Sequence, residues 1–340
     1  MNSIERVLHA IRGEYVDRIP ASLHGTDMEY QKGLAQYVGV SSVEDMYRKL
    51  GIDLWCTCRG LRYVGPQCFY KGRPVALRET MYEEYNPHPP FADVETVEEV
   101  LDYPEPAPDD FADDGLSDEL DSHANFAIMG SVNAAMFHNF LYMCGQLDGL
   151  CMLKQRPELA HAIIEKITRY WEAYITRFAE VAAGRIQIME NCNDFGTQLS
   201  MFISAEDFRT FFKEPLKRLY AIAHANGLYQ VQHSCGAVRP LIDDFISMGA
   251  DVLNPIQVCA IGMELLPLAR QYRGRIALFG GIDTQHLLPN GPAERIQEAV
   301  RAAVEFFGHD GGYILAGSQG LMKDISYANA VSMLAPALRA

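Results

Sequence analysis

Between Arg78 and Lys154 the chain has no lysine and no arginine, while seventeen of its 44 acidic residues fall in that interval. Outside it, 27 acids face 29 bases, so the net charge of −15 is concentrated in one stretch. An acidic face of this kind repels phosphate backbones and anionic membranes, which argues against a nucleic-acid partner. The chain also has no run of 18 or more apolar residues, and so no ordinary membrane-spanning helix is expected. Charges interrupt the apolar pattern of MNSIERVLHAIRGEYVDRIP, which reads as an amphipathic helix and not as a secretory leader. Eight cysteines in 340 residues are too sparse for a small disulfide scaffold. Reduced thiols and a cytoplasmic location are the expectation.

Short β-branched or apolar runs alternate with long amphipathic stretches. Strands are expected at RIPASL (18–23), IDLWC (52–56), NFAIMG (125–130), RIQIME (185–190), YQVQHS (229–234), DVLNP (251–255), IALFGG (276–281) and GYILAG (312–317). Helices are expected at 157–183, started by Pro157 and stopped by Gly184, at 204–227 with Ser204 as N-cap, and at 292–308. Eight strands with helical crossovers predict an α/β fold of the (β/α)8 TIM-barrel type, in one domain over 1–340. A doubly wound sheet would carry G-x-G-x-x-G after its first strand, and LHGTDMEY has one glycine. Residues 57–124 form an acidic, proline-containing insertion after the second strand, expected near the barrel mouth. Its run VETVEEVLDYPEPAPDDFADDGLSDELD reads as a solvated helix and loop.

A barrel enzyme builds its site at the C-terminal ends of its strands. Those positions are polar here: His24, Cys56 and Cys58, Ser131 and Asn133, Glu190 to Asp194, His233 and Cys235, Asn254 and Gln257, Asp283, and Ser318 with Gln319. In VQHSCGAVRP, residues two apart on a strand face the same side, so His233 and Cys235 project together, their Cα atoms roughly 7 Å apart. An imidazole and a thiolate so placed can share a soft metal ion, zinc first among them. Three other chemistries fit less well. There is no G-x-S-x-G elbow for a serine hydrolase. A cysteine nucleophile with His233 as base and Glu190 behind it is compatible with the spacing. A glycosidase pair of Glu190 and Asp283 leaves His233 and Cys235 without a role.

The stretches NDFGTQ (193–198), HSCGAVRPLIDDFISMGADVLNPIQ (233–257), FGGIDTQHLLP (279–289) and GGYILAGSQGLMKDISYANAVSML (311–334) resemble the uroporphyrinogen decarboxylase superfamily. The opening ERVLHAIRGEYVDRIP resembles its cobalamin-linked methyltransferase branch. The resemblance covers nearly the whole chain, most weakly at 57–124, and implies the same barrel. The decarboxylases themselves carry an R-Q-A-G-R-type motif that grips substrate carboxylates, whereas PASLHGTDMEY holds no arginine.

The methyltransferase branch binds zinc through a His-x-Cys pair on the fifth strand, here His233 and Cys235, and a cysteine after the eighth. Gln319 stands at that last position, leaving Glu190, Cys192 or Cys259 to complete the site. The resemblance thus implies zinc held by His233, Cys235 and Glu190. It places Glu190 and Asp194 in catalysis and His24, Asn254, Gln257, Asp283 and Gln319 around the substrate. The implied reaction moves a methyl group between a small methylated compound (methoxyl, methylamine or thiol type) and a corrinoid. No Asp-x-His-x-x-Gly signature is present, so the cobalamin is expected on a partner corrinoid protein. A homodimer is compatible with the sequence. Metal-free decarboxylation, or ligand sensing without turnover on the same barrel, are the alternatives.

Overall fold

In the computed structural model the described residues are 1–77 and 88–336. Eight parallel strands close into a barrel in sequential order: β1 (Ala21–Ser22), β2 (Ile52–Cys56), β3 (Ala127–Ser131), β4 (Ile188–Cys192), β5 (Tyr229–His233), β6 (Val252–Ile256), β7 (Ala277–Ile282) and β8 (Tyr313–Gly317). β8 pairs back onto β1, and the architecture is the (β/α)8 barrel that the strand count predicts. Every expected strand lies where the apolar runs place it. The helices Pro157–Val181 and Ala293–Phe307 also follow their start signals.

Alternation along each strand divides the core in two. Leu54, Met129, Ile188, Val231, Val252, Phe279 and Ile314 fill the barrel interior, and a larger apolar layer joins the outer sheet face to the helices. Helix α1 (Ser3–Arg12) adds Val7 and Ile11 to the interior cluster, plugging the barrel from one end. Its start is fixed by a capping box of Asn2 and Glu5, and its end by Gly13 in the left-handed region.

A buried charge cluster pins this plug. Asp53 on β2 is fully buried and meets Arg6 at 2.6 Å, Arg18 at 2.7 Å and the Ser3 hydroxyl at 3.0 Å. Arg6 also grips Asp17 at 2.6 Å, and that contact holds the Asp17 carboxyl well below the usual range. The opening motif is therefore a structural clamp.

The stretch 204–227 differs from the single helix expected. Ser204 caps the short helix Ala205–Asp207 as predicted, but a π turn at Phe208–Phe212 precedes the helix Lys213–Ala225. Pro215 has no N–H to give the carbonyl four residues back, and the wider turn accommodates this while burying Phe208, Phe211 and Phe212.

The insertion has the expected helical stretches, Val97–Leu101 and Leu116–Ser122, and strands besides. It holds two small antiparallel sheets, Leu61–Tyr63 with Phe111–Asp113 and Cys68–Tyr70 with Arg73–Val75. Its acids serve locally. Glu99 and Asp113 cap helices, and Glu119 accepts N–H groups from Trp55, Cys58 and Arg59. Lys166 and Tyr174 of the long helix bond to its backbone at Leu101, Tyr103 and Leu61. Part of the insertion, 78–87, lies outside the described residues. Among the described residues no helix is long and apolar enough to cross a membrane.

Removing the central carboxylate of the clamp leaves Arg18 without its carboxylate and Arg6 with Asp17 alone. Asp53→Ala is expected to cost about 3–5 kcal/mol of stability. Urea unfolding followed by circular dichroism measures it, and an unchanged midpoint contradicts the clamp.

Candidate metal centre

Parallel register assembles the site. Cys192 on β4 pairs with His233 on β5, and His233 pairs with Asn254 on β6, so three polar residues form one row at the strand ends. Two residues earlier on β4, Glu190 pairs with Ser131 and Val231. Ile188 and Val231 face the interior, and period-two alternation turns Glu190, Cys192 and His233 the same way.

The imidazole of His233 is buried and its two nitrogens have different neighbours. Nδ1 lies 2.7 Å from Asn254 Oδ1 and 3.5 Å from Glu190 Oε1. Nε2 lies 3.5 Å from Cys235 Sγ and 3.5 Å from Asp194 Oδ1. An amide oxygen can only accept, so Asn254 keeps a proton on Nδ1, and it is Nε2 that faces Cys235 and Asp194. The neutral ring with its proton on Nδ1 is the tautomer a metal ligand needs.

The loop carrying Cys235 is tightly held. Its backbone N–H donates to Asp194 Oδ1 at 2.8 Å, and the next N–H, of Gly236, donates to Gln257 Oε1 at 2.6 Å. Gly236 has φ +87°, and a Cβ there would overlap the carbonyl group of Gly196, so the loops after β4 and β5 touch backbone to backbone. Gln319 reaches over from the segment after β8 and donates Nε2–H to Cys235 Sγ at 3.0 Å.

A second cluster lies on the Nδ1 side. His24 Nε2 is 2.8 Å from Glu190 Oε1, and the His24 ring leans on His233 and Phe279 with centroids 5.6 and 5.5 Å away. One donor atom each from His24, Glu190 and His233 lies within 4.8 Å of the others, and the same holds for Cys192, Asp194 and His233. Asp283 stands apart, its carboxylate accepting N–H bonds from Gln285, His286 and Leu287 at the start of the next helix. Sequence reasoning did not commit to Cys192, although the alternation in IMENC already puts it on the face of Glu190.

Charges in this pocket are strongly coupled. Burial alone would raise the pKa of Glu190, but His24 and His233 beside it hold the carboxyl well below its usual range. Burial alone would lower that of His233, yet Cys192, Cys235 and Glu190 hold the imidazole well above it. Burial pushes the Cys235 thiol up, and His233 partly offsets this. Desolvation and the charge of Glu190 likewise push the half-buried Cys56 thiol well above its usual range.

The donor set suits zinc. Ordinary Zn–S and Zn–N bonds in a tetrahedron put sulfur and nitrogen about 3.5 Å apart, the separation seen between Cys235 Sγ and His233 Nε2.

An eight-stranded barrel with imidazole, thiol, carboxylate and amide groups converging at its strand ends belongs to the class whose sites sit at that face. The chain is a member of the uroporphyrinogen decarboxylase (URO-D) family, whose profile matches residues 115–337. Among curated proteins it is 23% identical over 182 residues to the uroporphyrinogen decarboxylase of Chlorobaculum tepidum, covering 52% of this chain and 48% of that one. The enzyme of Chlorobium limicola is 23% identical over 185 residues, with the same shares. The chain thus spans about half the length of the curated relatives it matches. A solved structure described as a methyltransferase from Methanosarcina mazei superposes with a TM-score of 0.70 at 16% identity, over 100% of this chain and 99% of that one. The likeness is one of fold.

The depressed folded pKa of Glu190 links stability to pH. Its ionised form stabilises the fold above the unfolded value near 4.5, and that contribution fades as pH falls toward the folded value. Glu190→Gln is therefore expected to be less stable than the wild type at about pH 7, with the gap narrowing at about pH 3. Urea midpoints at both pH values check this; a gap that widens toward acid contradicts an ionised, paired Glu190.

Proposed function

We propose that the chain is a zinc-dependent methyltransferase that moves a methyl group between a small methylated compound and a corrinoid carried by a partner protein. The observation that carries this reading is the His233 ring, whose Nδ1 is tied to Asn254 while Nε2 faces Cys235 Sγ at a zinc-like spacing. Zinc at this point supplies Lewis acidity, which holds a thiol as thiolate or polarises the heteroatom that bears a methyl group.

The protein's own residues have separable tasks. His233 and Cys235 hold the ion, Asn254 orients His233, and Asp194 and Gln257 fix the backbone that presents the cysteine. Gln319 places an N–H donor on the sulfur. Glu190 keeps His24 oriented at the edge of the same pocket, where the two can hold a proton close to a bound substrate. His24, Asn254, Gln257 and Gln319 all border the space beside Cys235 or His233; Asp283 contributes by shaping the loop after β7.

Family membership and the curated decarboxylase relatives favour a second reading, metal-free decarboxylation. Against it, the family match begins at residue 115, beyond the segment PASLHGTDMEY that lacks the arginines of a carboxylate grip.

Protein purified without chelators is expected to carry about one zinc per chain and to methylate cob(I)alamin from a methoxyarene, a methylamine or a methyl thioether. Cys235→Ser is expected to lose the metal, and Asn254→Ala to bind zinc about 10–100-fold more weakly. Elemental analysis and the visible spectrum of methylcobalamin are the readouts. Wild-type protein with no zinc affinity overturns the reading and leaves decarboxylation of a porphyrinogen as the next assay.

A further inference from the structure

We propose that Cys192 supplies the thiolate that position 319 lacks, so that the ion is held by Cys192, His233 and Cys235 from the adjacent strands β4 and β5. This rests on the zinc reading above and names the ligand set peculiar to this chain.

Three independent features converge on Cys192. Strand register sets it directly beside His233, in the same row as Asn254. Alternation turns it inward with Ile188 and Glu190. Its sulfur, an Asp194 oxygen and a His233 nitrogen all lie within 4.8 Å of one another. Cys192 Sγ thus lies within 4.8 Å of a His233 nitrogen, and Cys235 Sγ is 3.5 Å from Nε2 of the same ring. Cys235 Sγ is not part of the group within 4.8 Å that Cys192, Asp194 and His233 form, so a bound ion would have to draw the two sulfurs together.

The competing donors are otherwise engaged. Gln319 turns its Nε2, a donor without a lone pair to offer, toward Cys235 Sγ. Such a contact tempers the charge of a bound thiolate and does not replace one. Glu190 meets His233 at Nδ1, the nitrogen tied to Asn254, and is paired with His24. Cys259 is in neither of the groups of metal-capable side chains that include His233. Asp194 is different: its Oδ1 faces Nε2 at 3.5 Å while also accepting the Cys235 N–H. We assign it the fourth position as the most readily displaced donor. A catalytic zinc keeps one such exchangeable position, and here it is where a substrate heteroatom enters.

The ligand set can be counted without any assay of turnover. Zinc K-edge X-ray absorption of the zinc-loaded full chain is expected to give two sulfur neighbours, and the cobalt(II)-substituted protein two thiolates' worth of charge-transfer absorption. Cys192→Ser is expected to halve both signals and to weaken zinc binding by more than about tenfold, because even outer partners of a metal site are worth about 10–100-fold. One sulfur in the wild type, with Cys192→Ser unchanged in spectrum and affinity, overturns this ligand set while leaving zinc on His233 and Cys235. Absence of bound zinc in the wild type overturns the ligand set and the zinc reading together. The wild-type sulfur count decides the matter even if the variant fails to fold.

Discussion

The tautomer of one buried imidazole organises the site. Because Asn254 Oδ1 can only accept a hydrogen bond, His233 keeps its Nδ1–H on that side and turns Nε2 toward Cys235 and Asp194, and the neighbours are arranged around that direction. Asn254 itself is placed by the β5–β6 register, so the chemistry of the pocket depends on barrel closure as much as on the residues. A slip of one residue on either strand would turn the imidazole or its partner out of the interior.

The barrel is stabilised against such slips from its opposite end. The Asp53 cluster ties α1 and the Arg18 segment to β2, and Val7 and Ile11 occupy the interior from below. Buried ion pairs add little net stability compared with apolar packing, but they are costly to break singly. In this position the cluster fixes where the plug sits, and the plug fixes the lower layers of side chains on which Glu190 and Cys192 stand.

Much of this was readable in the chain. The eight apolar runs announced the strands, and the i, i+2 spacing of His233 and Cys235 announced that they share a face. What the chain could not announce was which residues of different strands would meet. Cys192 and His233 are 41 positions apart, and only the β4–β5 register makes them neighbours. Asp283 stands at a strand end, and what its position did not announce is that its carboxylate accepts three backbone N–H groups just downstream. The acidic insertion was legible as charge. That Glu99 and Asp113 cap helix starts and Glu119 anchors backbone depended on the fold around them.

The plug at the lower end of the barrel also sets the traffic through the molecule. With Val7 and Ile11 of α1 filling the interior at that end, the barrel offers no through channel to the site at its strand ends. Were the proposed partner to dock over that end, a small substrate would have to be seated before it arrives and its remnant released after it lifts away. A vessel with a single door imposes an order of addition and release on whatever reaction it hosts.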